Sequence, residues 1–266
     1  MGLAIDTVLV DVHNTATSSV GLTNGTVTNS GDSLSVRSFD APAWAALDAI
    51  WLKGSGTRQA RIISPRFHDN VTGLTFQSAE SPAEFLMPPE IGQPLYSVDA
   101  LTVQLDAAAS SDTVAGLSIY YKDLSGIAAD LRTWDDIKGR IINLKSVEVD
   151  CTASGTIGTW VDTSLTTTEN QLKADYQYAV LGFEANAAVM CMGIKGPATG
   201  NLRVCVPANT VTFPLTDYFI EMGRRHGRPY IPVFKANDRA NTYVSVADNA
   251  ASTAVKVYMI CAQLKP

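Results

Sequence analysis

Apolar and polar residues alternate along this chain in short bursts, and Gly, Pro, Asn and Ser separate one burst from the next. In Leu101-Thr-Val-Gln-Leu105 the large apolar side chains fall on every second residue, which turns one face of a strand toward a core. Strands of this kind are predicted over Ile5 to Val12, Ser33 to Phe39, Trp44 to Leu52, Ala60 to Ile63, Gly73 to Phe76, Ala100 to Leu105 and Val114 to Tyr121. The second half repeats the style over Lys145 to Cys151, Ala174 to Glu184, Ala187 to Ile194, Asn201 to Val206, Tyr230 to Phe234, Thr242 to Val246 and Thr253 to Ala262. The fold class is therefore mainly β, with many short strands.

Two stretches change period. Asp130 to Ile142 reads as a short linker helix capped by Thr133, with Asp135 and Asp136 in its first turn and Trp134, Ile137 and Ile141 on one docking face. Leu215, Phe219 and Met222 form a helical stripe that ends at Gly227-Arg-Pro229. The predicted organisation is a first sandwich over 1–130, a linker over 131–144 and a second sandwich over 145–266.

The halves also follow one order. Trp44-Ala-Ala-Leu-Asp-Ala-Ile-Trp51, then Arg61 to Asn70 and Gly73 to Phe76, correspond to Tyr178 to Glu184, then Gly193 to Val204; Val114 to Leu124 corresponds to Val255 to Leu264. Duplication makes each half one closed β-sandwich of roughly seven or eight strands.

Composition narrows the function. The chain is 46% hydrophobic but only 17% charged, with a net charge of -6, against a charged share of about 25% in ordinary domains. A surface built from Thr, Ser, Asn and Gly is cheap to desolvate and suits broad protein contacts. The acidic balance argues against specific or long-range nucleic-acid binding. Arg224, Arg225, His226 and Arg228, beside Glu221, read as a solvated helix end. Cys151, Cys191, Cys205 and Cys261 lack metal-ligand spacing and read as buried thiols. The start, Met1 to Val12, carries Asp6 and Asp11 and has no leader-like pattern, and no run is long enough to span a membrane.

Candidate chemistry is sparse. His13, His68 and His226 form no zinc motif. His68, Asp69 and Asn70 beside Arg66 are the most enzyme-like group, though a self-bonded turn accounts for them better. Asp6, Asp11, Asp99, Asp106, Asp112 and Asp248 near strand ends offer oxygens for calcium, without a calcium-loop motif, so no cofactor is called for. Trp44 and Trp51, or Tyr120 and Tyr121, could present a sugar platform, which keeps a carbohydrate-binding β-sandwich as an alternative. The connection Gln77 to Tyr96 is stiffened by Pro82, Pro88, Pro89 and Pro94 and carries Phe85, Leu86, Met87, Ile91, Leu95 and Tyr96, which reads as an apolar strap across a neighbouring unit or subunit.

Twin sandwiches, a low-charge acidic surface, a stiff strap and no catalytic cluster together resemble the double jelly-roll major capsid proteins of tailless, membrane-containing icosahedral viruses and phages. The resemblance covers units near 1–130 and 140–266 and rests on organisation. Leu215 to His226 matches that family's helices between strands; in the first unit only Pro82 to Leu86 offers a helical turn. The likeness implies a double jelly roll without enzymatic activity, homotrimers of pseudo-hexagonal outline, contacts with neighbouring capsomers and other virion proteins, and a place in a capsid assembled in the host cytoplasm. Another virion or surface-layer protein would share the composition without hexagonal tiling.

Overall fold

The computed structural model describes residues 2–27, 44–64, 72–80, 83–95, 101–124, 128–156, 159–168, 171–186, 189–208, 215–247 and 254–266. The chain is mainly β, with four antiparallel sheets among the described residues. Its first strands are β1 (Gly2–Asn14), β2 (Val20–Asn24), β3 (Thr26–Val27), β4 (Trp44–Lys53), β5 (Arg58–Ile63), β6 (Leu74–Ser78), β7 (Ala83–Leu86), β8 (Gln93–Leu95), β9 (Thr102–Ala107) and β10 (Ser111–Leu124). They form one sheet ordered β3-β1-β10-β4-β7, with β8 also on β4, and a second ordered β2-β9-β5-β6.

Beyond Leu124 come β11 (Leu131–Arg132), α1 (Trp134–Ile137), β12 (Ile141–Thr152), β13 (Trp160–Ser164), β14 (Gln177–Ala185), β15 (Cys191–Lys195), β16 (Arg203–Pro207), α2 (Tyr218–His226), β17 (Ile231–Lys235), β18 (Tyr243–Ala247) and β19 (Ala254–Leu264). These pair as β11-β17-β14-β19-β12 and β13-β18-β15-β16. Every named strand thus pairs within its own half of the chain.

The pairing repeats. When β1, β2, β4, β5, β6, β7, β9 and β10 are counted as strands one to eight, the two sheets run 1-8-3-6 and 2-7-4-5; β12 to β19 counted the same way give the same two orders. Irregularities repeat as well. Asp48 is the extra residue in β4 opposite Ser118 and Ile119, and Leu181 is the extra residue in β14 opposite Ile260 and Cys261. Leu3 and Ile142 stand at register shifts near the starts of β1 and β12. A bulge re-aims the side chains around it, so its retention at one position keeps the same face turned outward in both halves.

Each half has a two-sided core. In the first, Val8, Ile50, Leu52 and Leu117 of the larger sheet meet Ile62, Val103 and Leu105 of the smaller one. In the second, Val147, Val180, Val257 and Met259 meet Ile194, Val204, Val244 and Val246, and α2 adds Phe219 and Met222. Burial in alternation along β9 and β12 is the pattern that the sequence carries.

Local chemistry sets both helices. Thr133 caps α1 by accepting from the Asp136 amide at 3.2 Å, while the Asp136 carboxylate accepts from the Thr133 amide at 2.9 Å. The helix stops at Ile137, which is fully buried, so Ile141 belongs to β12 and not to the helical face assigned to it. Trp134 and Ile141 pack partly buried against the second core.

Helix α2 starts at Tyr218, later than the apolar stripe implies, because Leu215 is held in a bridge with Phe183 (amide to carbonyl 3.0 and 3.3 Å). Gly182 makes that bridge possible: a Cβ there would lie 1.8 Å from the Leu215 carbonyl oxygen. Gly227, at φ +62°, ends the helix. The helical turn considered for Pro82 to Leu86 is instead strand β7 from Ala83 onward, paired along Ala49 to Leu52 of β4. Ser33 to Phe39 lie outside the described residues.

Candidate functional site

The halves meet on a buried seam. The outward face of the larger first sheet, carrying Ile5, Thr7, Leu9, Ala49, Trp51 and Tyr120, is covered by the second half. Leu9, Trp51 and Val114 pack with Met190, Cys191 and Ala247, and the Cys205 amide of β16 donates to Thr7 Oγ1 at 3.2 Å. Trp51 is therefore part of this seam and is no open sugar platform; the side chain of Trp44 lies outside the described residues. Tyr121 enters the first core while Tyr120 faces the seam.

At the centre of the seam stands Asp48, fully buried at its bulge. Arg228 Nη2 donates to Asp48 Oδ1, and the Tyr230 hydroxyl donates to Oδ2 at 2.9 Å. The Arg228 guanidinium lies 4.3 Å from the centre of the Tyr120 ring, and Tyr230 stacks on both Tyr120 and His226. Burial pushes the Asp48 carboxyl up to about 6, against the opposing pull of Arg228 and Tyr230. It remains ionised at neutral pH. Burial, with Arg228 and Arg225 adding repulsion, brings the His226 imidazole down to about 4, so this ring is neutral. Its two nitrogens have no hydrogen-bond partner among the described residues.

The basic run is thus split, not wholly solvated as its sequence suggests. Arg224 pairs in the open with Glu221 at 2.6 Å, whereas His226 and Arg228 turn into the seam. The physical reason is the left-handed turn at Gly227, which sends the chain back toward Asp48. A cavity of about 700 Å³ opens beside the cluster, lined by Leu3, Glu90, Tyr120, Lys122, His226 and Arg228 among others.

The proline-rich connection wraps over the same place. Met87 donates its amide to the Asp48 carbonyl at 2.9 Å, and Gly92, at φ +66°, sits where a Cβ would come within 2.6 Å of Asp48 Oδ1. Glu84 of β7 accepts from the Tyr218 hydroxyl of α2 at 2.6 Å. Phe85 packs on Phe76 and the first core, Leu86 against the second core, and Met87 and Leu95 are buried. Pro94 lies in β8 opposite Ala46, and Pro88 and Pro89 are exposed. Ile91 is 60% exposed at the tip. Pro82 and Tyr96 lie outside the described residues.

The remaining candidates go elsewhere. His13 Nε2 lies 2.8 Å from Asp11 and Nδ1 2.8 Å from Asp112, so the ring bridges two strand ends with both nitrogens engaged. Asp11 is pushed up to about 6, mainly by burial. Asp106 accepts from the Gln59 amide at 2.6 Å. Asp162 is held down because Ser245, Arg203 and Lys195 outweigh its burial. Arg66, His68, Asp69, Asn70, Asp99 and Asp248 lie outside the described residues. Among those described, no group of three or more His, Cys, Asp or Glu side chains is arranged to hold a metal ion. The four cysteines are free and buried, and no described helix is long and apolar enough to cross a membrane.

Two functional features are absent from the sequence reading. Asp48 carried a signal, being one acid amid Ala45, Ala46, Leu47, Ala49 and Ile50, where an unpaired charge would be too costly to bury. Ile142 and Leu144 of β12, exposed to 47% and 63%, are the other, and their exposure depends on tertiary packing.

No protein-family model and no curated protein matches the chain. Among solved structures, the chain is similar to the PBSX exported protein XepA at 9% identity and a TM-score of 0.27, over 98% of this chain and 86% of that one. At that score the likeness bears on neither fold nor function.

Proposed function

We propose that this chain is a double jelly-roll major capsid protein, a non-enzymatic building block that forms trimers of pseudo-hexagonal outline and tiles an icosahedral virion shell. The observation that carries this reading is the repeated strand order. Sheets running 1-8-3-6 and 2-7-4-5 match the winding of a jelly roll, and the recurrence of that order among β1 to β10 and among β12 to β19 supports the reading. The units would be residues 1–130 and 145–266, joined by the Thr133-capped linker.

Side-by-side fusion supports the reading further. Much of the outward face of the larger first sheet is buried against the second half, which supports reading the pair as one thick block. A shell element needs that rigidity, because weak contacts add up only between bodies that hold their geometry. In this reading Asp48, Arg228 and Tyr230 lock the block, and the calcium considered for the strand-end aspartates has no role. Assembly would take place in the host cytoplasm.

Sedimentation equilibrium of the purified full chain tests the proposal. It expects the mass of three 28.4 kDa chains at micromolar concentration. A single-chain mass that persists to the highest soluble concentration rules the reading out.

A further inference from the structure

The repeat has an uncovered counterpart. Registers anchored on the shared bulges match Ser118 with Ile260 and Tyr120 with Ala262, and hence Leu3 with Ile142, Ile5 with Leu144 and Thr7 with Ser146. Side-chain character is kept across all three pairs: apolar, apolar, hydroxyl. Exposure is reversed. Ile5 is 1% exposed and Thr7 fully buried because the second half of the same chain lies on them, whereas Leu144 is 63% exposed and Ser146 is open.

The covering element has a counterpart too. What lies on β1 is β16, the last strand of its four-stranded sheet, held by the Cys205 amide on Thr7. In the first half the strand at that place is β6, with Thr75 and Gln77 exposed. One chain therefore presents the Leu3-to-Thr7 part of its internal seam a second time, divided between its two far ends, while the positions that match Leu9, Trp51 and Val114 carry Glu148, Glu184 and Lys256.

We infer that the outer face of β12 and β19, with Ile142, Leu144 and Ser146 at its edge, receives strand β6 of a second copy of this chain, in the geometry by which β1 receives β16 within the chain. The contact is head-to-tail: the donor surface lies on one half and the acceptor on the other. Repetition of one rotation closes such contacts into a ring, and six like units from three copies complete a turn. That number of copies rests on the capsid reading, while the surface itself rests on the repeat.

The surface is suited to burial. Tyr258 and Ile260 on β19 extend the apolar strip from Leu144, and Lys256 pairs with both Glu148 and Asp150, the latter at 3.6 Å, so the charges of that rim are gathered beyond the apolar strip and leave one carboxylate in excess. Gln171 answers the Glu148 amide at 2.8 Å and carbonyl at 2.9 Å, which shields the middle of the β12 edge from ladder pairing. What stays open is the stretch that matches Leu3 to Thr7.

Two variants of the full chain test this. Leu144→Arg alters an exposed position, so its circular dichroism and urea midpoint should match the wild type while its sedimenting mass falls from three chains to one. Chains carrying Ser146→Cys, mixed with chains carrying Thr75→Cys or Gln77→Cys and mildly oxidised, should give disulfide-linked pairs; neither kind alone should, because the native thiols are buried. Linked pairs from Ser146→Cys chains alone would mean a two-fold contact and overturn the proposal. Trimers that survive Leu144→Arg with no mixed cross-link overturn it while sparing the capsid reading. A wild type that stays a single chain removes both.

Discussion

Asp48→Asn is the sharpest single perturbation of the seam. The change keeps the size of the side chain but turns one of its two accepting oxygens into a donor and removes the charge that faces Arg228, whose side chain is itself 9% exposed. Breaking a buried pair on one side costs about 3–5 kcal/mol, since the remaining ion stays out of water without its counterion. The amide oxygen can accept from Arg228 or from Tyr230 but not from both, and this donor-against-donor loss outweighs the relief of no longer burying a charge whose carboxyl is already pushed up to about 6, so the net loss should fall at the lower end, near about 3 kcal/mol. Equilibrium urea unfolding at pH 7 measures it as a lowered midpoint with an unchanged slope. Replacing both ions, as in Asp48→Leu with Arg228→Met, should restore most of the loss, because a well-packed apolar pair of similar volume is often neutral or better. An Asp48→Asn protein within about 1 kcal/mol of wild type would refute the claim that this pair locks the halves, given the usual cost of an unpaired buried charge.

Three smaller outcomes follow from the same structure. Asp48 is raised to about 6, so its contribution is complete below its unfolded value and is lost as pH rises through 6; His226 is lowered to about 4, so its contribution is present above its unfolded value near 6.5 and is lost as pH falls. Between roughly pH 4 and 6 the two slopes oppose one another and stability should be nearly flat, whereas His226→Gln should gain about 2–3 kcal/mol on acidification across that window, measured by urea midpoints at stepped pH; an equally flat profile in the variant counts against the assignment. Thr133→Ala removes the side-chain arm of the α1 capping box, leaving the Asp136 carboxylate on the residue-133 amide, and should cost about 1 kcal/mol in thermal or urea unfolding; a neutral result would mean that the Asp136 arm and Ile137 suffice to hold the helix. Gly182→Ala forces apart the Phe183–Leu215 bridge and should lower the melting temperature by several degrees, on the order of 2–4 °C per kcal/mol lost, with no change expected if the α2 lead-in is not anchored there.

How far the sequence speaks depends on whether a feature is local. Strands β9 and β12 are legible because their buried residues keep a strand's spacing, and β4, β10 and β14 because they are near-continuous apolar runs buried on both faces. The matched segments Trp44 to Trp51 with Tyr178 to Glu184, and Val114 to Leu124 with Val255 to Leu264, occupy the same places in the two pairing orders. Strand β2, Val20-Gly-Leu-Thr-Asn24, and β13, Trp160-Val-Asp-Thr-Ser164, escape notice because they are polar and half-exposed and take their form from their ladder partners. Strands β7 and β8 are hidden among prolines, which suit sheet margins but disguise a strand in the sequence. The seam is harder still. That Arg228 meets Asp48 across 180 positions follows from a single left-handed turn at Gly227 and a single bulge in β4, and neither has a periodic signature.

Electron cryo-microscopy of the purified chain, averaged without imposed symmetry, bears most directly on the twin-sandwich building block. The expected image is a three-fold particle with six similar lobes, two from each chain, in which the join inside a chain and the join between chains look alike. Isolated two-lobed particles, or dimers related by a two-fold axis through β12, would contradict it.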